Sequence, residues 1–203
     1  VMVDDGSHDD SLTIAQSYCK QHAECQVIAR KNRGVSAARN TAIKAAKGTY
    51  ILPVDADDKI ADTLIEKAVE VIEHDNNIRV VGCRCWMFGA VDKEWKLPNF
   101  SHSLLARKNM IPATALYRKA DWERCGGYCE EEIYREDWDF WLSMMELGGT
   151  FYRLNEILFY YRIAPLHSTG SRRVLAKGRK KIIVDAINRR HPEYLKKNLG
   201  GPL

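Results

Sequence analysis

The chain has 203 residues, 45% of them hydrophobic and 29% charged, with a formal net charge of +4. That composition supports one globular domain with a substantial apolar core, and it excludes a disordered or low-complexity protein. Charge is unevenly placed: residues 171–203 carry ten Lys/Arg against Asp185 and Glu193, which leaves the first 170 residues at −4. No apolar run approaches the roughly 20 residues that span a bilayer, and no charged-then-apolar leader is visible, so a soluble or peripheral protein is expected. The six cysteines are scattered, and neither Cys83-x-Cys85 nor Cys125-x₃-Cys129 has a second pair at zinc-site spacing. They read as reduced thiols of a cytoplasmic protein.

Val1-Met-Val3 reads as the end of a buried strand that runs straight into Asp4-Asp5-Gly6-Ser7, so preceding elements are expected to be missing. Leu12, Ala15, Cys19 and His22 have helical spacing, and Gln26–Arg30 suits a short strand. A second helix is expected over Val35–Ala46 and a buried strand over Tyr50–Val54. Ala61, Leu64, Ile65, Ala68, Val71 and Ile72 follow the i, i+3, i+4, i+7 pattern of an amphipathic helix, and Arg79–Trp86 is another strand. Ala113–Arg118 and Ile157–Arg162 are further expected strands, while Trp138, Trp141, Leu142 and Met145 mark the buried stripe of a helix. Arg172–Arg190 predicts a basic-faced helix with Ile182, Ile183, Ala186 and Ile187 inward, closed by His191-Pro192. The alternation predicts an α/β sandwich with a mostly parallel sheet, whose ligands gather at the carboxyl ends of strands. Both acidic clusters, Asp4-Asp5 and Asp55–Asp58, fall at such ends.

In Tyr50-Ile-Leu-Pro-Val-Asp55-Ala-Asp57-Asp58 a strand-length apolar run ends in three acids within four positions. Crowded carboxylates repel and raise one another's pKa; a divalent cation reverses that cost, and hard oxygen ligands suit Mg²⁺ or Mn²⁺ carrying a diphosphate. Standing alone, a D-x-D of this kind reads equally as a solvated acidic turn. Glu136 and Asp137 open a helix, where two carboxylates also interact favourably with the helix dipole.

The order Asp4-Asp5-Gly6-Ser7, Lys31-Asn32-x-Gly34-x₃-Ala38-Arg39-Asn40, Asp55-Ala-Asp57-Asp58, Gly126-Gly127-Tyr128 and Glu136-Asp137 resembles a family 2 inverting glycosyltransferase of the GT-A fold. The likeness covers nearly the whole chain and implies a three-layer α/β sandwich of the nucleotide-diphospho-sugar transferase type. Residues 1–170 would form the catalytic domain, without the strand and helix that usually precede the D-D-G-S turn, and residues 171–203 a basic helical tail packing on it. The resemblance assigns Asp57 and Asp55 to a Mn²⁺ or Mg²⁺ ion, with His167 as a late third ligand. It places Asp4, Asp5, Asn32, Gly34, Arg39 and Asp55 around the nucleotide, with Asp5 accepting the imide N–H of a uracil. Asp137 would be the general base, and Glu136 would orient the acceptor or share charge.

Expected partners are a nucleotide-sugar donor, UDP-linked, and a glycan or lipid-linked acceptor. Tyr134 is the expected acceptor contact, whereas Trp138 and Trp141 read as core. The basic tail is compatible with anionic lipid headgroups at the inner face of the membrane, and equally with a solvated helix face. Nucleic acid is not expected, because the bases lack interleaved aromatics. A nucleotide- or glycan-binding module without catalysis, and a nucleotidyltransferase using the same metal chemistry, are the alternatives.

Overall fold

The computed structural model describes residues 1–131, 135–165 and 179–203. In chain order the first half runs β1 (Met2–Asp4), α1 (Ser11–Gln21), β2 (Val27–Ala29), α2 (Val35–Ala45), β3 (Tyr50–Ile51), β4 (Lys59–Ile60), α3 (Leu64–His74) and β5 (Ile78–Gly89). The second half continues with β6 (Lys93–Trp95), α4 (His102–Arg107), β7 (Leu116–Arg118), α5 (Lys119–Arg124), α6 (Glu136–Glu146), β8 (Thr150–Ile163), α7 (Lys180–Arg190) and α8 (Pro192–Leu199).

The strands form a parallel β1–β2 pair and a larger sheet in the order β3-β7-β5-β8-β4, with β6 on β5. The expected α/β layering is present and the sheet is mixed. Its longest register, β5 against β8, is parallel, while β3–β7, β5–β7, β4–β8 and β5–β6 are antiparallel. Period-two alternation sends neighbouring side chains to opposite faces, and it does so here. On β5, Val80 joins one core and Val81 the other; on β7, Tyr117 and Leu116 divide the same way. One core packs α3 against the sheet through Leu64, Ala68 and Ile72, and the other holds Leu105 of α4, Phe140 and Trp141 of α6, and Leu195 of α8.

Several bounds differ from the expected ones for identifiable reasons. The strand expected over Tyr50–Val54 stops at Ile51, because Pro53 cannot donate to a ladder. β8 starts seven residues before Ile157 and carries a register shift that leaves Asn155 and Glu156 out of the pairing. Pro192, expected to close the last helix, occupies the first position of α8, where its missing N–H costs nothing. Ile182 was expected inward and is 52% exposed, while Ile187, Tyr194 and Leu195 carry the packing of this segment into the core.

That packing includes a buried charge cluster. Asp139, fully buried on α6, accepts from Nε of Arg190 at 2.6 Å and lies 2.9 Å from Nε2 of His191, whose Nδ1 lies 2.9 Å from Glu146. Hydrogen bonds from His191 and Arg190 hold the Asp139 carboxyl below its ordinary value despite a larger opposing effect of burial, and the two carboxylates raise His191 against the same opposition. The cluster fixes the α7–α8 corner to the helix whose first turn carries Glu136 and Asp137.

Candidate active site

Asp4 closes the turn after β1: its carboxylate accepts the backbone N–H of Gly6 at 3.3 Å and of Ser7 at 3.4 Å. Gly6 adopts φ +84°, and a Cβ there would lie 3.2 Å from the backbone nitrogen of Asn32, so the turn and the Asn32 loop approach as closely as a glycine permits. The Asp5 carboxylate accepts from Nε of Arg30 at 3.0 Å, from the Gly34 backbone N–H at 2.8 Å and from that of Arg33 at 3.2 Å. Three donors from the Arg30–Gly34 loop therefore occupy the group expected to face a base, and its evident work is to hold that loop and the start of α2.

Arg39 is the centre of the arrangement. It projects from α2, is 8% exposed, donates through one terminal nitrogen to Asp55 at 2.8 Å and through the other to Glu136 at 3.1 Å, and lies 5.5 Å above the Tyr128 ring. One guanidinium thus bridges the acidic loop after β3 to the first turn of α6, residues separated by 81 positions in sequence. Asn40, beside it, donates to the Tyr128 carbonyl at 2.8 Å and accepts the Tyr128 N–H at 2.9 Å. The Gly126-Gly127-Tyr128 turn is shaped to receive that amide: Gly127 has φ +75°, and a Cβ would meet Oδ1 of Asn40 and Nε1 of Trp122 at 3.0 Å. Gly127→Ala is expected to lower the unfolding free energy by about 1–3 kcal/mol, from left-handed backbone strain plus displacement of Asn40. Chemical denaturation of the variant beside Gly126→Ala, where a Cβ meets open space at the same hand of backbone, isolates the clash.

Asp137 is half-buried, and its Oδ2 accepts from Nδ2 of Asn109 at 2.7 Å while Oδ1 accepts the N–H of Trp138 at 2.9 Å. Burial first, and then the charge of Glu136, push its carboxyl up to about 6, against the pull of Arg39 and Arg135. In the acidic loop, Asp58 accepts the Arg162 N–H at 2.8 Å and is pushed up to about 6 by burial and by the charges of Asp57 and Asp55. Nε of Arg162 donates to the backbone carbonyl of Asp57 at 2.8 Å, so β8 clamps the loop from outside.

The loop's oxygen donors suit a hard divalent cation, and the mutual repulsion felt at Asp58 is the cost such a cation would relieve. Among the described residues no group of three or more His, Cys, Asp or Glu could hold a metal unaided. An ion at Asp57 and Asp55 would draw its remaining ligands from diphosphate oxygens and water, as Mg²⁺ commonly does. His167 and Tyr134 lie outside the described residues.

The structure therefore brings together Arg39, Asp55, Glu136 and Asp137, with Asn32 and Gly34 on the neighbouring loop beside Asp4 and Asp5. Sequence reasoning passed over Asn109, a lone asparagine before Met110 that carries no motif signal. It also passed over Glu130, which accepts from Asn40 at 3.0 Å and from Arg33 at 2.8 Å. Trp138 and Trp141 are core, their indole N–H groups bonded to the Leu105 and Ile111 carbonyls.

A mixed α/β sheet with an acidic loop at a strand end, bridged to a carboxylate-bearing helix turn, is a GT-A fold. Two solved structures share that fold: S. aureus TarS 1–349 in complex with UDP-GlcNAc, and the mannosyltransferase PcManGT from Pyrobaculum calidifontis in complex with GDP-Man and Mn²⁺. The first has a TM-score of 0.74 at 19% identity over 96% of this chain and 56% of its own. The second has a TM-score of 0.64 at 17% identity over 98% and 57%. The chain belongs to glycosyl transferase family 2, whose model matches residues 1–140. Among curated relatives, the uncharacterized glycosyltransferase EpsJ of Bacillus subtilis is 32% identical over 81% of this chain, and chondroitin synthase of Escherichia coli is 27% identical over 77%. The chain spans 52% of the first and 23% of the second.

Proposed function

We propose that this chain is the catalytic core of a metal-dependent inverting glycosyltransferase that moves a sugar from a UDP-linked donor to a hydroxyl of a glycan or lipid-linked acceptor in surface polysaccharide synthesis. The observation that carries the reading is the Arg39 bridge, which joins the acidic loop at Asp55 to the helix turn holding Glu136 and Asp137. Transfer with inversion needs a proton acceptor on one side of the anomeric carbon and a stabilised diphosphate on the other, and the bridge holds candidates for both within one site.

Asp137 takes the acceptor proton. A carboxyl held near 6 is ionised at neutral pH yet more basic than an ordinary aspartate, which favours proton transfer from a hydroxyl placed within hydrogen-bond reach. Asn109 fixes one oxygen of that carboxylate and leaves the group oriented. Glu136 is neutralised by Arg39, so the pair of acids carries less than two full charges towards the acceptor. Asp57, with Asp55, would hold a Mn²⁺ or Mg²⁺ ion, which when bound supplies electrostatic stabilisation to the departing diphosphate. The Asp4–Gly6 turn and the Asn32–Gly34 loop form the nucleotide side, with Asp5 keeping the loop in place. The UDP preference is supported by the TarS likeness, and the polysaccharide role by the relatives; a cytoplasmic site of action, with the basic face of α7 against anionic headgroups, accords with the lipid-linked acceptor.

Replacing Asp57 by Ala is expected to weaken UDP binding at least tenfold in the presence of Mn²⁺ and to leave the weaker binding in EDTA unchanged. Calorimetry in the two buffers checks it. Equal Mn²⁺ dependence in parent and variant would remove Asp57 from the metal site.

A further inference from the structure

Apart from the Arg39 site, β5, β6, the segment from Lys96 to Phe100 and the first half of β8 form an open hollow of about 710 Å³. Its wall carries four aromatic residues, Trp95, Phe100, Phe151 and Tyr152, the last of them 45% exposed on β8. The charged side chains that line it are Arg84, Lys96 and Arg153 against one carboxylate, Glu94, and that carboxylate is already taken by Arg84 in a two-pronged pair at 2.7 and 3.0 Å.

Arg153 is the telling residue. Its terminal nitrogens donate only to backbone carbonyls, Leu97 at 3.1 Å and Met110 at 3.5 Å, and its buried Nε has no partner. Among the described residues no carboxylate lies within salt-bridge distance of it. A partly buried guanidinium without a counter-ion is costly, and burial accordingly pulls its ionisation below the ordinary value. Guanidinium forks match carboxylate and phosphate oxygens, and aromatic faces pack against the C–H faces of sugar rings. The position adds a reason: Met110, on which Arg153 leans, follows Asn109, the residue that holds Asp137.

We propose that this hollow binds an anionic stretch of a glycan, sugar or polyol units bearing carboxylate or phosphate, with Arg153 and Lys96 on the charge and Tyr152 and Trp95 against the rings. It would hold a length of acceptor away from the reacting end, and in that respect the proposal rests on the glycosyltransferase reading. The ligand chemistry has two sources, a uronate or a phosphodiester-linked polyol, which share the anionic group and differ in its shape.

Calorimetric titration of the whole chain with trigalacturonate, a glycerol phosphate trimer and neutral maltotriose tests it. Binding of either anionic probe at least about fivefold tighter than maltotriose, the size of one partly exposed charge contact, is expected, and the tighter of the two names the source. Lys96→Glu should weaken the anionic probe about fivefold or more, and Tyr152→Ala should weaken it severalfold, each with an unchanged thermal midpoint. Because Arg153 also tethers two loops, Arg153→Met is read only beside those two exposed-site variants. Equal affinity for maltotriose, no binding of either anionic probe, or undiminished binding in both exposed-site variants would overturn the proposal. UDP titrated on the same samples separates the two ideas: its failure to bind while the anionic probe binds counts against the donor reading and leaves the hollow as a glycan site.

Discussion

Asp137→Asn is expected to reduce glycosyl transfer by about 10²–10⁴-fold, the range over which a positioned general base acts, while UDP affinity stays within about twofold of the parent. The substitution is close to isosteric. Asn109 can still donate to the new amide oxygen, as it does to Oδ2 of the acid at 2.7 Å, while the amide nitrogen takes the place of Oδ1 and the bond from the Trp138 N–H is lost together with the proton acceptor. The pH dependence gives a second, independent readout. The carboxyl is pushed up to about 6 by burial and by Glu136, so its basic form is lost as pH falls through about 6, and the parental rate should fall with it. An unperturbed aspartate would hold its rate down to about pH 4. Stability should move the other way. A carboxyl whose value is raised on folding favours the folded state at low pH, and that contribution is lost as pH rises from its unfolded value through about 6. At neutral pH, therefore, the folded state carries a charge it disfavours; the neutral amide removes it, which offsets the lost Trp138 N–H bond and should keep the thermal midpoint near the parent's. A variant that transfers sugar at the parental rate, or one that loses activity only because it unfolds, would take the base assignment away from Asp137.

The elements that could be read from the sequence are those whose burial is periodic and local. α3 shows its apolar stripe in Leu64, Ala68 and Ile72, all buried against the sheet, and α6 shows its own in Trp138, Trp141 and Leu142. β8 was half legible because its first part alternates Phe151 and Leu154 with exposed Tyr152 and Asn155 and then breaks register, so no continuous apolar run marks it. α8 was hidden by Pro192, which serves equally to end one helix or to begin the next. At the site, the acids could be found by type and spacing, since crowded carboxylates at strand ends need a reason to be there. Their partners could not. Arg39 reaches Glu136 across 97 positions, Asn109 reaches Asp137 across 28, and Asp5 turns inward to Gly34, none of which leaves a trace in local pattern. Asp139 is the sharpest example, set apart by helix face from its neighbours and then fully buried against Arg190 and His191.

Arg39→Met is expected to destabilise the fold by about 3–5 kcal/mol, the cost of removing one member of a buried ion pair. Methionine keeps most of the apolar stem, so the loss reports the guanidinium with its ion pairs and its place over the Tyr128 ring. The two carboxylates it leaves differ in what they can do. Asp55 is about a third exposed and its charge is screened by water, whereas the Glu136 side chain is 10% exposed and feels the loss of the guanidinium charge more strongly. Most of the cost should therefore come from Glu136, and adding Glu136→Gln to Arg39→Met should restore a large part of it. Adding Asp55→Asn should restore less. Denaturant midpoints for the three variants and the parent, all at one pH near 7, give these differences directly. If Arg39→Met costs under about 1 kcal/mol, the range of exposed surface pairs, the guanidinium is not what holds the acidic loop against α6. Asp55 and the Glu136–Asp137 turn would then be joined by something other than the bridge from which their common site has been argued.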